Sequence, residues 1–386
     1  MQEIVQIGAS IINSTMGSRS TASPSELARC VRLNEPRVSA AKFCLARLLF
    51  LGCLIVISAT ATRAKLPGEP DQDGARHSES ALAQARAFLD DNKVEQAENA
   101  VRGYLVQHQN SADAHFLLGL ILFRKVQAEA LEGRAPSEGG DGASKFGGNK
   151  FREENAKASL AEYTEGAKYE RPSAADLKIV ALNYVLLGSY AEASKWLARS
   201  VEENPKDPQT WYYLGRSRYN ENRFEEAIQA FLNCLDLEPR NVKAQGNLGL
   251  SYAGLNRIPE AQAAFLKAID WQIQSPVKNA EPYIDLGDLL IQQNRLQEAV
   301  SYLQQAVQIA PRESRTREKL GSAFLILNDL SAAREQLEKA VELDPRNPSS
   351  HYLLGSVYRR QGQAEKAAAE FDRFQALKKE MGNSRP

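Results

Sequence analysis

The sequence predicts an all-α fold, a solenoid of about eight helical hairpins stacked in one array. Three observations predict it. A Leu-Gly pair recurs at Leu214-Gly215, Leu248-Gly249, Leu286-Gly287, Leu320-Gly321 and Leu354-Gly355, at spacings of 34, 38, 34 and 34 residues. Within that period each unit holds two amphipathic runs joined by a short turn, the pattern of a helical hairpin. The turn carries Asn222, Asn256, Asn294, Asn328 or Gly362, residue types that tolerate the left-handed conformation ending a helix. One hairpin cannot bury both of its faces, so neighbours must stack.

The chain opens with an extension, residues 1–64, that carries 7 Lys/Arg against 3 Asp/Glu; the remainder holds 41 against 45, a net of −4. That remainder offers no basic field of the kind that drives nucleic-acid binding, and no nucleic acid is expected as a partner. From Leu48 the extension reads LLFLGCLIVISATATRA. The uncharged apolar core over 48–61 is shorter than the roughly 20 residues of a spanning helix. Preceded by Lys42 and Arg47 and followed by Ala59-Thr60-Ala61, it has the order of a secretory signal peptide. A cleaved signal ranks first, giving an exported, periplasmic or extracytoplasmic body. An uncleaved anchor ranks second, tethering the chain in the inner membrane through 48–61 with the body outside the cytoplasm. A lipid on Cys53 ranks third. The length of charged sequence before the apolar core predicts a true start downstream of Met1, at Met16 or the codon of Val38.

Residues 65–77 read as a linker, with Pro67-Gly68 and Pro70 as breakers. The solenoid follows over 78–381, in units near 78–111, 112–173, 174–207, 208–241, 242–279, 280–313, 314–347 and 348–381, and 382–386 form a tail. With Trp211 as position 4 of a 34-residue unit, position 20 is Ala227, Ala261, Ala299, Ala333 or Ala367. Position 24 is Phe231, Phe265, Leu303, Leu337 or Phe371, and Pro239, Pro311 and Pro345 stand at position 32. Small residues at 8 and 20 let the two helices approach, while large ones at 4, 7, 11 and 24 are expected between hairpins. Asp207-Pro208 and Asn347-Pro348 place a capping side chain before a proline at the first helical position, and Ser173 is a further cap.

These recurring residues resemble the tetratricopeptide repeat family, whose pattern is W-x2-L-G-x2-Y, then Ala, an aromatic and Pro. The resemblance covers nearly all of 78–381 and is of an exported or membrane-associated bacterial type. It implies a right-handed superhelical solenoid whose first helices line a concave groove for extended or helical peptides. Positions 2, 5, 9, 12 and 13 would line it. In unit 208–241 these include Gln209, Tyr212, Arg216, Tyr219 and Asn220; the next units give Lys243, Leu250, Ile284, Asp288 and Ile291. Arg315, Leu325, Tyr352, Arg359 and Arg360 continue the stripe. Aromatic, aliphatic and arginine side chains are the types enriched at interface centres; the competing reading packs the tyrosines between neighbouring first helices. Some members clamp two carboxylates of a chaperone tail. Here Lys178 and Lys243 fit their places, but Leu182 and Tyr213 replace the two asparagines.

Two departures interrupt the period. Unit 112–173 carries a Gly-rich insert at about 128–151, expected as a surface loop, with the second helix from about Arg152 to Lys168 and Ser159 and Tyr163 at the expected positions. Unit 242–279 runs four residues long through WQIQSPVK.

Chemistry is sparse. Gly142 to Gly147 opens like a phosphate loop, but Gly148-Asn149 replaces the required Lys-Ser/Thr and no strand precedes it. His115 and His351 occupy the position of Trp211 and read as packing residues; His77 and His108 are isolated. Cys234 reads as a small buried thiol, and Cys30, Cys44 and Cys53 share no metal-ligand spacing with it. No catalytic constellation, cofactor or metal is expected, and the repeats leave no room for a separate catalytic domain. The sequence therefore predicts a non-enzymatic scaffold that binds protein or peptide segments, in a cell-envelope assembly. The alternatives are an accessory subunit of an envelope enzyme and, behind it, an RNA-binding helical repeat.

Overall fold

A computed structural model describes residues 72–132, 144–273, 275 and 277–383. The apolar run at 48–61, the cysteines before it and the upstream start sites lie outside the described residues. Among the described residues no helix is long and apolar enough to cross a membrane. The chain divides into two units, Met1–Ala83 and Gln84–Pro386. Of the first, residues 72–83 are described and are helical. The second is the repeat array.

Sixteen α-helices and no strand are found among the described residues. The first hairpins are α1 (Gln72–Asp90) with α2 (Val94–Gln107), α3 (Ala112–Glu132) with α4 (Ser144–Gly166), and α5 (Ala174–Leu186) with α6 (Tyr190–Glu203). Next come α7 (Pro208–Asn220) with α8 (Phe224–Leu237), and α9 (Val242–Gly254) with α10 (Ile258–Trp271). The last are α11 (Glu281–Gln292) with α12 (Leu296–Ile309), α13 (Ser314–Ile326) with α14 (Leu330–Leu343), and α15 (Pro348–Arg360) with α16 (Ala364–Asn383).

Seven of the turns within hairpins share one geometry. Asn92, Asn222, Asn256, Asn294 and Asn328 have φ of 58–63°, and Gly188 and Gly362 have 71° and 75°. At Asn222, its N–H donates to Tyr219 O at 2.9 Å and Arg223 N–H donates to Arg218 O at 2.9 Å. That pair satisfies two terminal carbonyls of α7 and reverses the chain in the fewest residues. Several first helices start on caps: Asp207 accepts from Gln209 N–H at 3.0 Å and Asn347 from Ser349 N–H at 3.0 Å. Ser173 and Asp176 form a reciprocal capping box.

In four of the hairpins position 4 fastens the first helix to the connection before it. Trp211 Nε1 donates to Pro205 O at 2.8 Å and Arg317 Nε to Pro311 O at 3.0 Å. His351 Nε2 lies 2.9 Å from Pro345 O and His115 Nε2 2.8 Å from Gln109 O. Three side-chain types thus put a ring or guanidinium nitrogen on the carbonyl six residues upstream, which gives both histidines their packing role. Cys234 is buried, and burial pushes its thiol up to about 11.

Position 24 packs between hairpins, as expected from sequence: Phe231 clusters with Leu248 of the next hairpin, Phe265 with Leu286, Leu303 with Leu320 and Leu337 with Leu354. Its side chain also lies on the glycine at position 8 of its own hairpin: Phe231 on Gly215, Phe265 on Gly249, Leu303 on Gly287, Leu337 on Gly321 and Phe371 on Gly355. In the interrupted unit Tyr163 takes this place against Gly119, and Ser159 Oγ donates to Gly119 O at 2.7 Å.

The insert also differs from expectation. Helix α3 runs on to Glu132 and α4 already begins at Ser144, so helix enters the expected loop from both sides and the phosphate-loop-like residues from Ser144 onward are helical. The run Ala128 to Glu132 consists of strong helix formers, which propagate an existing helix. Similarly α1 starts at Gln72, inside the expected linker, because Pro70 is the last proline before the array. At the other end α16 extends to Asn383, into the expected tail. The four extra residues after α10 are closed by the buried Gln272, whose amide accepts from Asn279 N–H at 2.7 Å and donates to Asn279 O at 3.1 Å.

Candidate binding face on the first helices

Each first helix from α3 to α13 touches the second helix of its own hairpin and the first helix of the next, whereas second helices do not touch one another. First helices α3, α5, α7, α9, α11, α13 and α15 therefore form one continuous inner wall. Side chains join them edge to edge. Lys178 Nζ on α5 meets the Asp207 carboxylate at the start of α7 at 2.7 Å. Arg315 on α13 pairs with Glu281 on α11 at 2.7 Å, and Lys319 with Asp288 at 2.8 Å. Glu318 accepts from Asn347, Ser349 and Ser350 at the start of α15.

The sequence-predicted groove residues divide on this wall. Gln209, Arg216, Asn220 and Lys243 are exposed. The Arg216 guanidinium lies 5.9 Å from the Tyr212 ring centre, and Tyr212 is half-buried against Tyr213 and Phe231. Tyr219 is half-buried, edge-on to Phe224 with ring centres 5.4 Å apart. Burial pushes both tyrosine hydroxyls above their ordinary value. At the far end Tyr352 is 48% exposed, its ring beside Phe371 and Phe374, with Arg359 over Phe371.

Others are spent on structure. Ile284 is fully buried with Ala280, Tyr283 and Ala306, and Leu325 is buried among Leu337, Leu354 and Tyr358. Ile284 packs toward the second helices α10 and α12, whereas Leu325 packs into the joint with the next first helix, which Arg360 closes by donating to Leu325 O at 3.0 Å. Leu250 and Ile291 are half-buried against the cluster of Phe265, Leu286 and Leu290. Asp288 and Arg315 are held in the ion pairs above. The two-carboxylate clamp loses a limb as well, since Lys178 already holds Asp207.

Asp285 escaped the sequence reading. Its side chain is 10% exposed and stands 3.9 Å from Arg315. Burial, reinforced by Glu281, pushes its carboxyl up to about 7 against the pull of Arg315. The signal was available in the spacing Glu281, Asp285, Asp288, which puts three carboxylates on one helix face.

Four family models described as tetratricopeptide or TPR repeat match residues 82–130, 240–312, 321–362 and 348–380. The chain is a tetratricopeptide repeat protein. Another model, described as anaphase-promoting complex, cyclosome, subunit 3, matches residues 154–234. A solved tetratricopeptide repeat protein from Parabacteroides merdae superposes with a TM-score of 0.54 at 15% identity, over 73% of this chain and 99% of its own. PilW, described as a type IV pilus biogenesis factor, gives a TM-score of 0.47 at 18% identity, over 53% of this chain and 92% of its own. YrrB, described as a TPR protein with an unusual peptide-binding site, gives 0.38 at 23%, over 48% and 93%. No curated protein matches the chain. The tetratricopeptide repeat architecture is that of a protein–protein interaction scaffold.

Proposed function

We propose that this tetratricopeptide repeat protein is a non-enzymatic scaffold that binds partner segments along the inner wall of its first helices, in a cell-envelope assembly. One observation carries the binding reading. The wall is continuous, and it presents Arg216 and Lys243 exposed, with no carboxylate partner among the described residues, beside the half-exposed rings of Tyr212, Tyr219 and Tyr352. Aromatic rings and unpaired cations on a rigid, preformed surface gain most from being covered, because little ordering entropy is left to lose. The envelope setting is supported by the signal-like sequence at 48–61.

Affinity capture from an envelope fraction tests both parts. The bait is compared with its Tyr212→Ala, Arg216→Ala, Tyr219→Ala triple variant, matched for helicity. A discrete set of envelope proteins retained by the first and lost by the second is the expected result. Equal capture by both baits places binding elsewhere on the molecule. Partners confined to the cytoplasm overturn the envelope setting.

A further inference from the structure

Helix α11 carries Glu281, Asp285 and Asp288 on one stripe of the inner wall. Two are committed: Glu281 to Arg315 at 2.7 Å and Asp288 to Lys319 at 2.8 Å. Asp285 is not. Nine-tenths of its side chain is buried, yet no hydrogen bond reaches its carboxylate among the described residues. Arg315 is the cation in contact with it, and its Nη2 stops 3.9 Å short while Nη1 is held by Glu281. The carboxylate oxygens keep a narrow opening to solvent but have no protein donor among the described residues, so a donor arriving through that opening meets a largely desolvated carboxylate.

The surroundings define that donor. Tyr219 on α7 and Asp285 on α11 flank α9, the first helix that stands between theirs in the wall. Between them α9 offers Gly246, where an added β-carbon would meet only Pro282 Cγ at 4.0 Å, and Leu250. Toward α7 the free charges are positive, Arg216 and Lys243. One side of the strip therefore suits an acidic or neutral residue and the other a base.

Resting on the groove reading above, we propose that Asp285 is the recognition site for a single lysine or arginine side chain of the docked segment, whose flanking residues are neutral or acidic where they pass Arg216 and Lys243. The ammonium or guanidinium supplies the N–H donors that the carboxylate lacks, as a charge-assisted bond between partly desolvated groups. The charged or titratable groups facing Asp285 are Glu281 and Asp288 on its own helix, Arg315 and Lys319 on α13, and Tyr219 on α7. With the carboxyl pushed up to about 7, binding of the cationic side chain strengthens as pH rises through that value.

The test selects random dodecapeptides displayed on phage against the full chain at about pH 8, where the carboxyl is ionised. Expected binders share a lysine or arginine at one fixed place. Asp285→Asn weakens them about tenfold or more, citrulline or glutamine at that place in the peptide weakens them equally, and the two changes together add nothing further. Lowering the pH to about 6 weakens the wild-type chain and leaves Asp285→Asn unmoved. Binders lost with Tyr212→Ala and Arg216→Ala but indifferent to Asp285→Asn, or lacking a base, overturn the Asp285 assignment and leave the groove standing. Binders indifferent to all these substitutions, or no binders at all, overturn both. Should Asp285→Asn melt early, the peptide substitutions on the wild-type chain decide the question.

Discussion

The Phe265 ring lies against the backbone of Gly249. A β-carbon added at Gly249 would stand 2.5 Å from Phe265 Cε1 and 2.7 Å from Cδ1. The glycine on the first helix is the socket for the aromatic on the second, and Phe265 is 1% exposed there. Two effects oppose each other in Gly249→Ala. Helix propensity favours alanine by about 1 kcal/mol, whereas overpacking a close-packed site costs about 1–3 kcal/mol. A rigid ring cannot fold out of the way, so the second effect wins. We expect a lower midpoint in chemical denaturation for Gly249→Ala. Phe265→Ala in the same background costs less than the roughly 3–5 kcal/mol of Phe265→Ala alone, because the added methyl occupies part of the vacated space. A stable Gly249→Ala would show that the two helices separate at little cost.

At Asn256 the backbone sits at φ 58°. Asn256→Ala forces a β-carbon without the compensating local polar contacts of asparagine into the left-handed region, at a cost of about 1 kcal/mol. Asn256→Gly, the residue used at the equivalent Gly362, is expected within about 0.5 kcal/mol of wild type, since relief of strain offsets the extra unfolded-state entropy. Thermal unfolding of the pair measures the difference. An alanine variant as stable as the glycine variant would mean that the turn is not held in this conformation in solution.

The sequence makes such features legible because they recur. Asn222 and its counterparts, the Gly–Phe sockets and the caps at Asp207 and Asn347 are set by the chain's immediate neighbourhood and repeat with the unit. What it does not reveal depends on how one unit meets the next. Ile284 and Leu325 sit at positions that the period assigns to the groove, but second helices bury the first and the joint with the next first helix buries the other. Conversely, Asp285 carries no repeat signature, and its isolation arises because Arg315 turns toward Glu281 instead. Helix lengths around the insert were also hidden, since glycines that suggest a loop do not stop a helix already propagating from Arg152 toward Ser144.

Asp285 makes stability depend on pH in the less common direction for a carboxyl. Its folded value of about 7 exceeds an ordinary unfolded aspartate near 4. Between these values the folded chain holds a proton that the unfolded chain has lost. The contribution to stability is therefore full below about pH 4 and is lost as pH rises through about 7. The upper bound is about 4 kcal/mol, from 1.36 kcal/mol per pKa unit, and sharing of charge with Glu281 and Asp288 reduces it. Asp285→Asn should remove this slope and be more stable than wild type at about pH 8, while differing little near pH 4. Urea unfolding of both chains across that range checks it. Parallel curves would mean that the carboxyl titrates normally and that its surroundings are wetter than the structure shows.

His351 is 5% exposed, with Nδ1 2.6 Å from Glu370 Oε2 and Nε2 2.9 Å from Pro345 O. Both neighbours offer acceptors, so the ring is held from both edges. His351→Leu keeps an apolar body but strands the Pro345 carbonyl and frees Glu370, at a cost of about 1–3 kcal/mol. His351→Trp restores one donor, as Trp211 does toward Pro205 O at 2.8 Å, and should fall between leucine and wild type. The paired change His351→Leu with Glu370→Leu should cost less than the two separate costs combined, because replacing both members leaves no carboxylate without its donor. If the last hairpin is held only by apolar packing, leucine and wild type unfold at the same denaturant concentration. If the fastening to the preceding carbonyl matters, protection of the α15 amides against hydrogen exchange drops first in the leucine variant.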